Sequence, residues 1–85
     1  MVDVTVYYKS WCPYCRMAFG LLDRKDVNYN KIDVESGQGL EVEMVRRAAG
    51  GCTVPQIFIG DKHVGGCDDL HALEDDGRLD ELLEI

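Results

Sequence analysis

Apolar and polar residues alternate near the start of the chain, where Val2, Val4 and Val6 are followed by two tyrosines. A period of two is typical of a strand that buries one face. Further segments rich in β-branched and aromatic residues follow, and Gly60 and Asp61 separate the last two as a hairpin turn. The pattern therefore predicts four strands, at residues 3–8, 27–34, 54–59 and 62–64.

Between these strands, apolar residues recur every three or four positions, which is the spacing of a helix with one buried face. Pro13 suits the first turn of a helix, where no amide partner is needed. The first predicted helix runs from there to Lys25 or Asp26, and glycines end the second and third helices. The apolar stripes comprise Met17, Ala18, Leu21 and Leu22, then Leu40, Met44 and Ala48, then Leu70 and Leu73, with Leu79, Leu82 and Leu83 forming a last turn or two.

The predicted order of elements is β-α-β-α-β-β-α. The first two strands are joined through a helix, so they should be parallel with a right-handed crossover, whereas the last two should form an antiparallel hairpin. A four-stranded mixed sheet flanked by helices on both faces follows, which is an α/β fold of the thioredoxin-like type. The length of 85 residues predicts one domain over residues 1–85.

Composition narrows the classes of function. Apolar residues make up 46% of the chain, but no apolar run approaches the roughly 20 residues needed to cross a bilayer. The start of the sequence lacks the basic and apolar regions of a secretion signal, so we expect a cytoplasmic protein without a membrane partner. The formal net charge of −7 also argues against nucleic acid as a partner, since phosphate binding needs a basic face.

Cys12 and Cys15 are separated by two residues at the point where the first strand passes into a helix. In a cytosolic protein with alternating strands and helices, this spacing indicates redox chemistry or metal binding. The unpaired amides and the positive dipole end of the helix favour the thiolate form at Cys12, and Lys9 adds a cation three residues earlier. We therefore predict Cys12 as the nucleophile and Cys15 as the resolving thiol.

A zinc site is one alternative for these cysteines. Zinc sites built from four cysteines usually contain two close pairs, whereas Cys52 and Cys67 stand alone, so no metal is expected.

A thiol of lowered pKa attacks less strongly but leaves more readily from a mixed disulfide. The position of Cys12 therefore favours a catalyst that must release its intermediate to a second thiol.

Three segments together resemble the glutaredoxin family, especially its short bacterial members: Cys12-Pro13-Tyr14-Cys15, Thr53-Val54-Pro55 and Gly65-Gly66-Cys67-Asp68-Asp69. The resemblance extends over essentially the whole chain. It implies a glutathione-dependent thiol–disulfide oxidoreductase that reduces glutathione mixed disulfides and protein disulfides. Glutathione would be both reductant and co-substrate, and an NADPH-dependent glutathione reductase would recycle it.

The resemblance also assigns a glutathione site. Val54 would precede a cis-proline and pair its backbone with the cysteinyl part of the tripeptide. The helix that begins at Cys67 would receive the γ-glutamyl carboxylate at its amides, and either Asp69 or Asp68 would pair with the α-ammonium while the other caps the helix. Lys9 would attract the glycyl carboxylate. The full assigned set is Lys9, Tyr14, Thr53, Val54, Pro55, Gly66, Cys67, Asp68 and Asp69.

The sequence departs from the family pattern just before Thr53. Many relatives carry a basic residue there, whereas this chain has Gly51 and Cys52, so Lys9 would bind the glycyl carboxylate alone or with help from Gln56 or Arg47. Cys52 is expected to pack as a small apolar residue. Cys67 is expected to stand outside the main reaction, and the two histidines, His63 and His71, are expected to have no catalytic role.

The expected partners are glutathione and glutathionylated or disulfide-containing proteins, with the chain acting as a monomer. Two other functions stay open. One is an electron donor to ribonucleotide reductase fed by thioredoxin reductase, against which the Gly65–Asp69 segment counts. The other is an iron–sulfur carrier in which Cys12 of two protomers and two glutathiones hold the cluster; Pro13 counts against it because it stiffens the turn.

Overall fold

Strands and helices follow one another along the chain in the predicted order. The structure is a computed structural model and describes residues 2–85, so that Met1, the first residue of the predicted domain, lies outside the described residues. The elements are β1 (Val4–Tyr8), α1 (Pro13–Arg24), β2 (Asn30–Asp33), α2 (Leu40–Arg47), β3 (Gln56–Ile59), β4 (Lys62–Gly65), α3 (Cys67–Asp75) and α4 (Leu79–Leu83).

The four strands form one mixed sheet in the order β2-β1-β3-β4. β1 pairs with β2 in parallel, with Thr5 opposite Asn30. It pairs with β3 in the antiparallel direction, with Val6 opposite Ile57, and β3 and β4 form the antiparallel hairpin. The predicted fold class, a four-stranded mixed sheet flanked by helices, is confirmed.

The sheet buries both of its faces, and successive residues of a strand point to opposite faces. Val4 and Val6 of β1 belong to a cluster with residues of α1, α3 and α4, whereas Tyr7 belongs to a cluster with α2. The first cluster comprises Val4, Val6, Ala18, Leu21, Leu22, Ile57, Ile59, Cys67, Leu70, Leu79 and Leu83. The second comprises Tyr7, Val34, Met44, Ala48 and Phe58. Because α1 and α3 share one face, their N-termini can serve one site.

Three strands are shorter than the sequence predicts: β1 begins one residue later, at Val4, and β2 and β3 differ by more. β2 covers Asn30–Asp33 instead of 27–34, because the pairing of Thr5 with Asn30 would place residues 27 and 28 opposite residues that precede β1. Val27 and Tyr29 pack against the core without joining the ladder. β3 begins at Gln56 instead of residue 54, since Pro55 has no N–H to donate to a neighbouring strand.

The apolar stripe of α1 differs from the predicted one at its first residue. Met17 is 53% exposed, whereas the buried side of the helix consists of Cys15, Ala18, Leu21 and Leu22. Cys15 lies three residues before Ala18 and therefore shares the buried face, whereas Met17 points away from it. In the part of the chain that the structure describes, no helix has both the length and the apolar character required to cross a membrane.

Candidate active site

Cys12 caps the N-terminus of α1. Its Sγ accepts a hydrogen bond from the backbone N–H of Cys15 at 3.3 Å, and Pro13 occupies the first turn of the helix. The Cys12 thiol also lies 3.7 Å from the carbonyl oxygen of Val54, to which it donates. Only 5% of Cys12 is exposed. The sulfur is therefore held between a helix N-terminus, where negative charge is favoured, and the loop that precedes β3.

Cys15 lies one turn further into α1 and is 1% exposed. Burial, with a smaller effect from its hydrogen bond to Cys12, raises the pKa of the Cys15 thiol to about 12. Cys15 is therefore a neutral thiol near pH 7. Both thiols are buried, but only Cys12 lies at the N-terminus of α1 and in contact with Val54.

A cavity of about 530 Å³ opens beside the loop that contacts Cys12, a volume within the range of small-molecule sites. It is lined by Tyr14, Gly51, Thr53, Val54, Pro55, Gln56, His63, Gly65, Gly66, Cys67, Asp68 and Asp69. The lining contains every residue assigned to glutathione from the resemblance except Lys9. The Val54–Pro55 peptide bond is cis, as the resemblance implied.

Lys9 lies outside this lining. Its Nζ is 3.7 Å from Oε1 of Glu41 on α2 and 5.7 Å from the centre of the Trp11 ring. Arg47, which the sequence analysis offered as a second group for the glycyl carboxylate, also lies outside the cavity lining. Its Nη1 donates to the Tyr7 hydroxyl at 3.2 Å. Of the groups considered for the glycyl carboxylate, only Gln56 is part of the cavity wall.

The two aspartates at the start of α3 differ in their contacts. Asp69 Oδ2 accepts a hydrogen bond from the backbone N–H of Gly66 at 3.0 Å, which is half of a capping box. Both aspartates are exposed on the cavity wall. Gly65 has φ +113°, and a side chain there would collide with the Asp69 carboxylate. The cap and the glycine therefore depend on one another.

The remaining cysteines do not behave alike. Cys52 is exposed, so the expectation that it packs as a small apolar residue is wrong. The space beneath this loop is taken by Gln56, whose Nε2 would lie 3.0 Å from a Cβ placed on Gly51. Cys67 is buried, and burial, with smaller effects of Asp68 and Cys12, raises the pKa of its thiol. Cys67 is thus a cavity wall residue whose thiol stays protonated near neutral pH.

Gln56 and His63 join the site through contacts that the sequence did not reveal. Gln56 Nε2 donates to the carbonyl oxygen of Thr53 at 2.9 Å, and its Oε1 is 2.7 Å from Nε2 of His63. The His63 ring stacks on Phe58 with 4.9 Å between centroids. The register of the hairpin, with Phe58 opposite His63, is the signal that could have indicated this pairing.

The side chains of the described residues do not form a metal site. Among residues 2–85, no three His, Cys, Asp or Glu side chains gather in an arrangement that could hold a metal ion. The cavity instead offers backbone groups, a helix N-terminus and the exposed carboxylates of Asp68 and Asp69, which suit a small zwitterionic ligand.

The chain matches the family model described as Glutaredoxin over residues 4–64. It is 53% identical over 83 residues to glutaredoxin of Pseudomonas aeruginosa, with 98% of each chain covered. It is 45% identical over 84 residues to glutaredoxin 3 of Escherichia coli K12, covering 99% of this chain and 100% of that protein.

Solved structures give the same result. The solution structure of glutaredoxin from Brucella melitensis has a TM-score of 0.84 at 55% identity, covering 98% of this chain and 89% of that one. The crystal structure of a buckwheat glutaredoxin–glutathione complex has a TM-score of 0.89 at 30% identity, covering 98% and 77%. With the Cys12–Cys15 pair at a helix N-terminus, these matches show that the chain belongs to the glutaredoxin family of thiol–disulfide oxidoreductases.

Proposed function

We propose that this protein reduces glutathione mixed disulfides and protein disulfides at the expense of glutathione, with Cys12 as nucleophile and Cys15 as resolving thiol. The observation that carries the proposal is the contact between Cys12 and Val54. The reactive sulfur abuts the loop that forms the wall of a ligand-sized cavity. A ligand held by that wall would present its own sulfur to Cys12.

In the reaction with a glutathione mixed disulfide, the Cys12 thiolate attacks the glutathionyl sulfur. A bond forms between Cys12 and glutathione, the substrate disulfide breaks, and the substrate leaves as a thiolate that takes up a proton. A second glutathione thiolate then attacks the glutathionyl sulfur, releasing oxidised glutathione and restoring Cys12. The helix N-terminus favours the thiolate form of Cys12 for the first attack, and it stabilises the same sulfur as the leaving group in the second step.

In the reaction with a protein disulfide, Cys12 forms a mixed disulfide with the protein. Cys15 loses its proton and attacks the Cys12 sulfur, which releases the second protein thiol and leaves a Cys12–Cys15 disulfide. Two glutathiones then reduce this disulfide in turn. The raised pKa of Cys15 supports the assignment, since a neutral buried thiol does not compete with Cys12 for the first attack.

Recognition of glutathione would rest on the backbone of Val54, the N-terminus of α3 and the carboxylate of Asp68. Among residues 2–85 no backbone carbonyl accepts the N–H of Val54, so this group is available for strand-like pairing with a peptide ligand. The similar buckwheat protein was solved as a complex with glutathione, which supports the same ligand here. Tyr14 and Thr53 would flank the ligand, and Lys9 would act from beyond the cavity wall.

The proposal places the chain in the cytoplasm as a monomer that acts on glutathionylated and disulfide-containing proteins. A Cys-x-x-Cys motif used for turnover suits a reducing compartment. Oxidised glutathione would be returned to the reduced form by an NADPH-dependent reductase, so the chain needs no metal and no bound cofactor of its own.

The test compares three serine variants on a glutathionylated peptide, with glutathione, glutathione reductase and NADPH present. Cys12→Ser should abolish turnover, and Cys15→Ser should retain it while losing reduction of a protein disulfide. Cys52→Ser is the matched control, because this exposed thiol lies outside the cavity lining. Turnover by Cys12→Ser, or turnover that needs thioredoxin reductase instead of glutathione, would refute the proposal.

A further inference from the structure

Behind the loop that contacts Cys12, a buried amide connects two strands of the sheet. Gln56 at the start of β3 is 5% exposed. Its Nε2 donates to the Thr53 carbonyl at 2.9 Å and approaches the Thr53 hydroxyl at 3.4 Å. Its Oε1 lies 2.7 Å from His63 Nε2 on β4. Both ends of this amide are therefore in hydrogen bonds, one to the loop and one to the histidine.

The partners fix which atom carries each proton. A carbonyl oxygen only accepts, so the group that faces Thr53 must be the NH2 end of Gln56. Its oxygen end then faces His63, and an oxygen acceptor requires N–H at Nε2 of the ring. The neutral His63 is therefore the Nε2–H tautomer, and Nε2 remains a donor when the ring is protonated.

The ring of His63 is itself held in place. It stacks on Phe58 at an interplanar angle of 25°, and the guanidinium carbon of Arg47 lies 4.2 Å from the centre of the same Phe58 ring. His63 is exposed, but Gln56, which it faces, is only 5% exposed, so without the histidine donor the Gln56 oxygen would lack its protein partner, which costs more than the hydrogen bond itself contributes. The amide would then turn toward solvent or flip, and a flipped amide would set its oxygen against the Thr53 carbonyl.

We propose that His63 is a positioning residue for substrate binding, because its Nε2–H orients Gln56, and Gln56 holds the Thr53–Val54 backbone against Cys12. The inference rests on the proposed use of glutathione and adds to it a determinant of affinity on β4. It also gives a role to a histidine for which the sequence predicted none. The role concerns binding, since His63 reaches the reacting sulfur only through Gln56 and the loop.

The kinetic test uses two variants that separate the donor from the ring. His63→Phe keeps an aromatic ring for stacking on Phe58 but has no donor, whereas His63→Gln places an amide N–H near the former Nε2. On a glutathionylated peptide, His63→Phe should raise KM about tenfold, the size expected when a buried acceptor loses its donor, with kcat changed less than about twofold. His63→Gln should restore most of the loss. An unchanged KM in a folded His63→Phe, or no rescue by His63→Gln, would overturn the inference.

A second measurement needs no variant. Long-range ¹⁵N–¹H spectra of the labelled wild-type protein, recorded at a pH where both rings are neutral, should show His63 as the Nε2–H tautomer. His71 provides an internal control, because its Nδ1 lies 2.9 Å from the Cys67 carbonyl oxygen and must carry the proton there. A dominant Nδ1–H tautomer at His63 would overturn the inference even if both variants unfold.

The two proposals fail in different ways. A wild-type protein without glutathione-dependent turnover refutes the proposed function, and the binding role of His63 then falls with it. If the wild-type protein shows full glutathione-dependent turnover and a folded His63→Phe variant has the same KM, only the positioning role is refuted.

Discussion

Replacement of Gly65 by alanine tests how much the capped start of α3 contributes to the stability of the protein. The residue has φ +113°, and a Cβ there would lie 2.9 Å from Cγ of Asp69 and closer still to its Oδ2. Two costs combine: backbone strain of about 1–2 kcal/mol for a side chain at positive φ, and displacement of the carboxylate that caps Gly66. Loss of such a cap costs about 1 kcal/mol. We expect Gly65→Ala to lower the free energy of unfolding by about 2–3 kcal/mol.

Two other glycines provide matched controls. Gly77→Ala places a side chain at φ +71° with no heavy atom within 4 Å, so it should show the backbone cost alone. Gly66→Ala brings its Cβ to an ordinary contact of 3.6 Å with the Pro55 carbonyl oxygen at negative φ, so it should cost little. The comparison separates the collision with Asp69 from the general effect of replacing glycine.

A double-mutant cycle identifies the cause. Asp69→Ala alone should cost about 1 kcal/mol through the lost cap. In the double variant the collision is relieved and the cap is already lost, so the double should be no less stable than Gly65→Ala. The assay is urea unfolding near pH 7 in the presence of a reductant. The reasoning is refuted if Gly65→Ala costs no more than Gly77→Ala, or if the effects of the two substitutions add.

Two further predictions concern Cys15 and Lys9. Unfolding returns Cys15 from a pKa of about 12 to its ordinary 9.0, so the unfolded chain releases the proton first and the free energy of unfolding should fall as pH rises from 9 to 12. Urea titrations at several pH values give the free energy of unfolding as a function of pH. Its slope between pH 9 and 12 should be shallower in Cys15→Ala by up to about 1.4 kcal/mol per pH unit. Equal slopes in the two proteins would contradict the prediction. Glu41→Gln should free Lys9 for an anionic ligand and lower the KM for a glutathionylated peptide about twofold to fivefold, since exposed pairs contribute about 0.2–1 kcal/mol. Asp61→Asn, on the hairpin turn, is the charge-matched control, and an equal gain there would show a general charge effect.

The features that the sequence predicted well are those encoded by neighbouring residues. The helix start at Pro13 and the capping position of Cys12 follow from a few consecutive residues, and the order of strands and helices follows from local periodicity. The features that it missed depend on partners far along the chain. The ion pair of Lys9 with Glu41 and the orientation of Gln56 by His63 require the packing of α2 and the hairpin register. The exposure of Cys52 has the same origin, because the side chain beneath its loop comes from β3.

Under the proposed mechanism, the burial of Cys15 would also affect the competition between two reactions once Cys12 carries a mixed disulfide. Burial raises the pKa of the Cys15 thiol and keeps it protonated near pH 7, so closure of the internal disulfide would first require the loss of that proton. Attack by glutathione is bimolecular, and its rate rises with glutathione concentration. In the proposed cycle, abundant glutathione would intercept the mixed disulfide, whereas scarce glutathione would leave time for ring closure. The fraction of chains that hold a Cys12–Cys15 disulfide would then be a readout of the surrounding thiol pool.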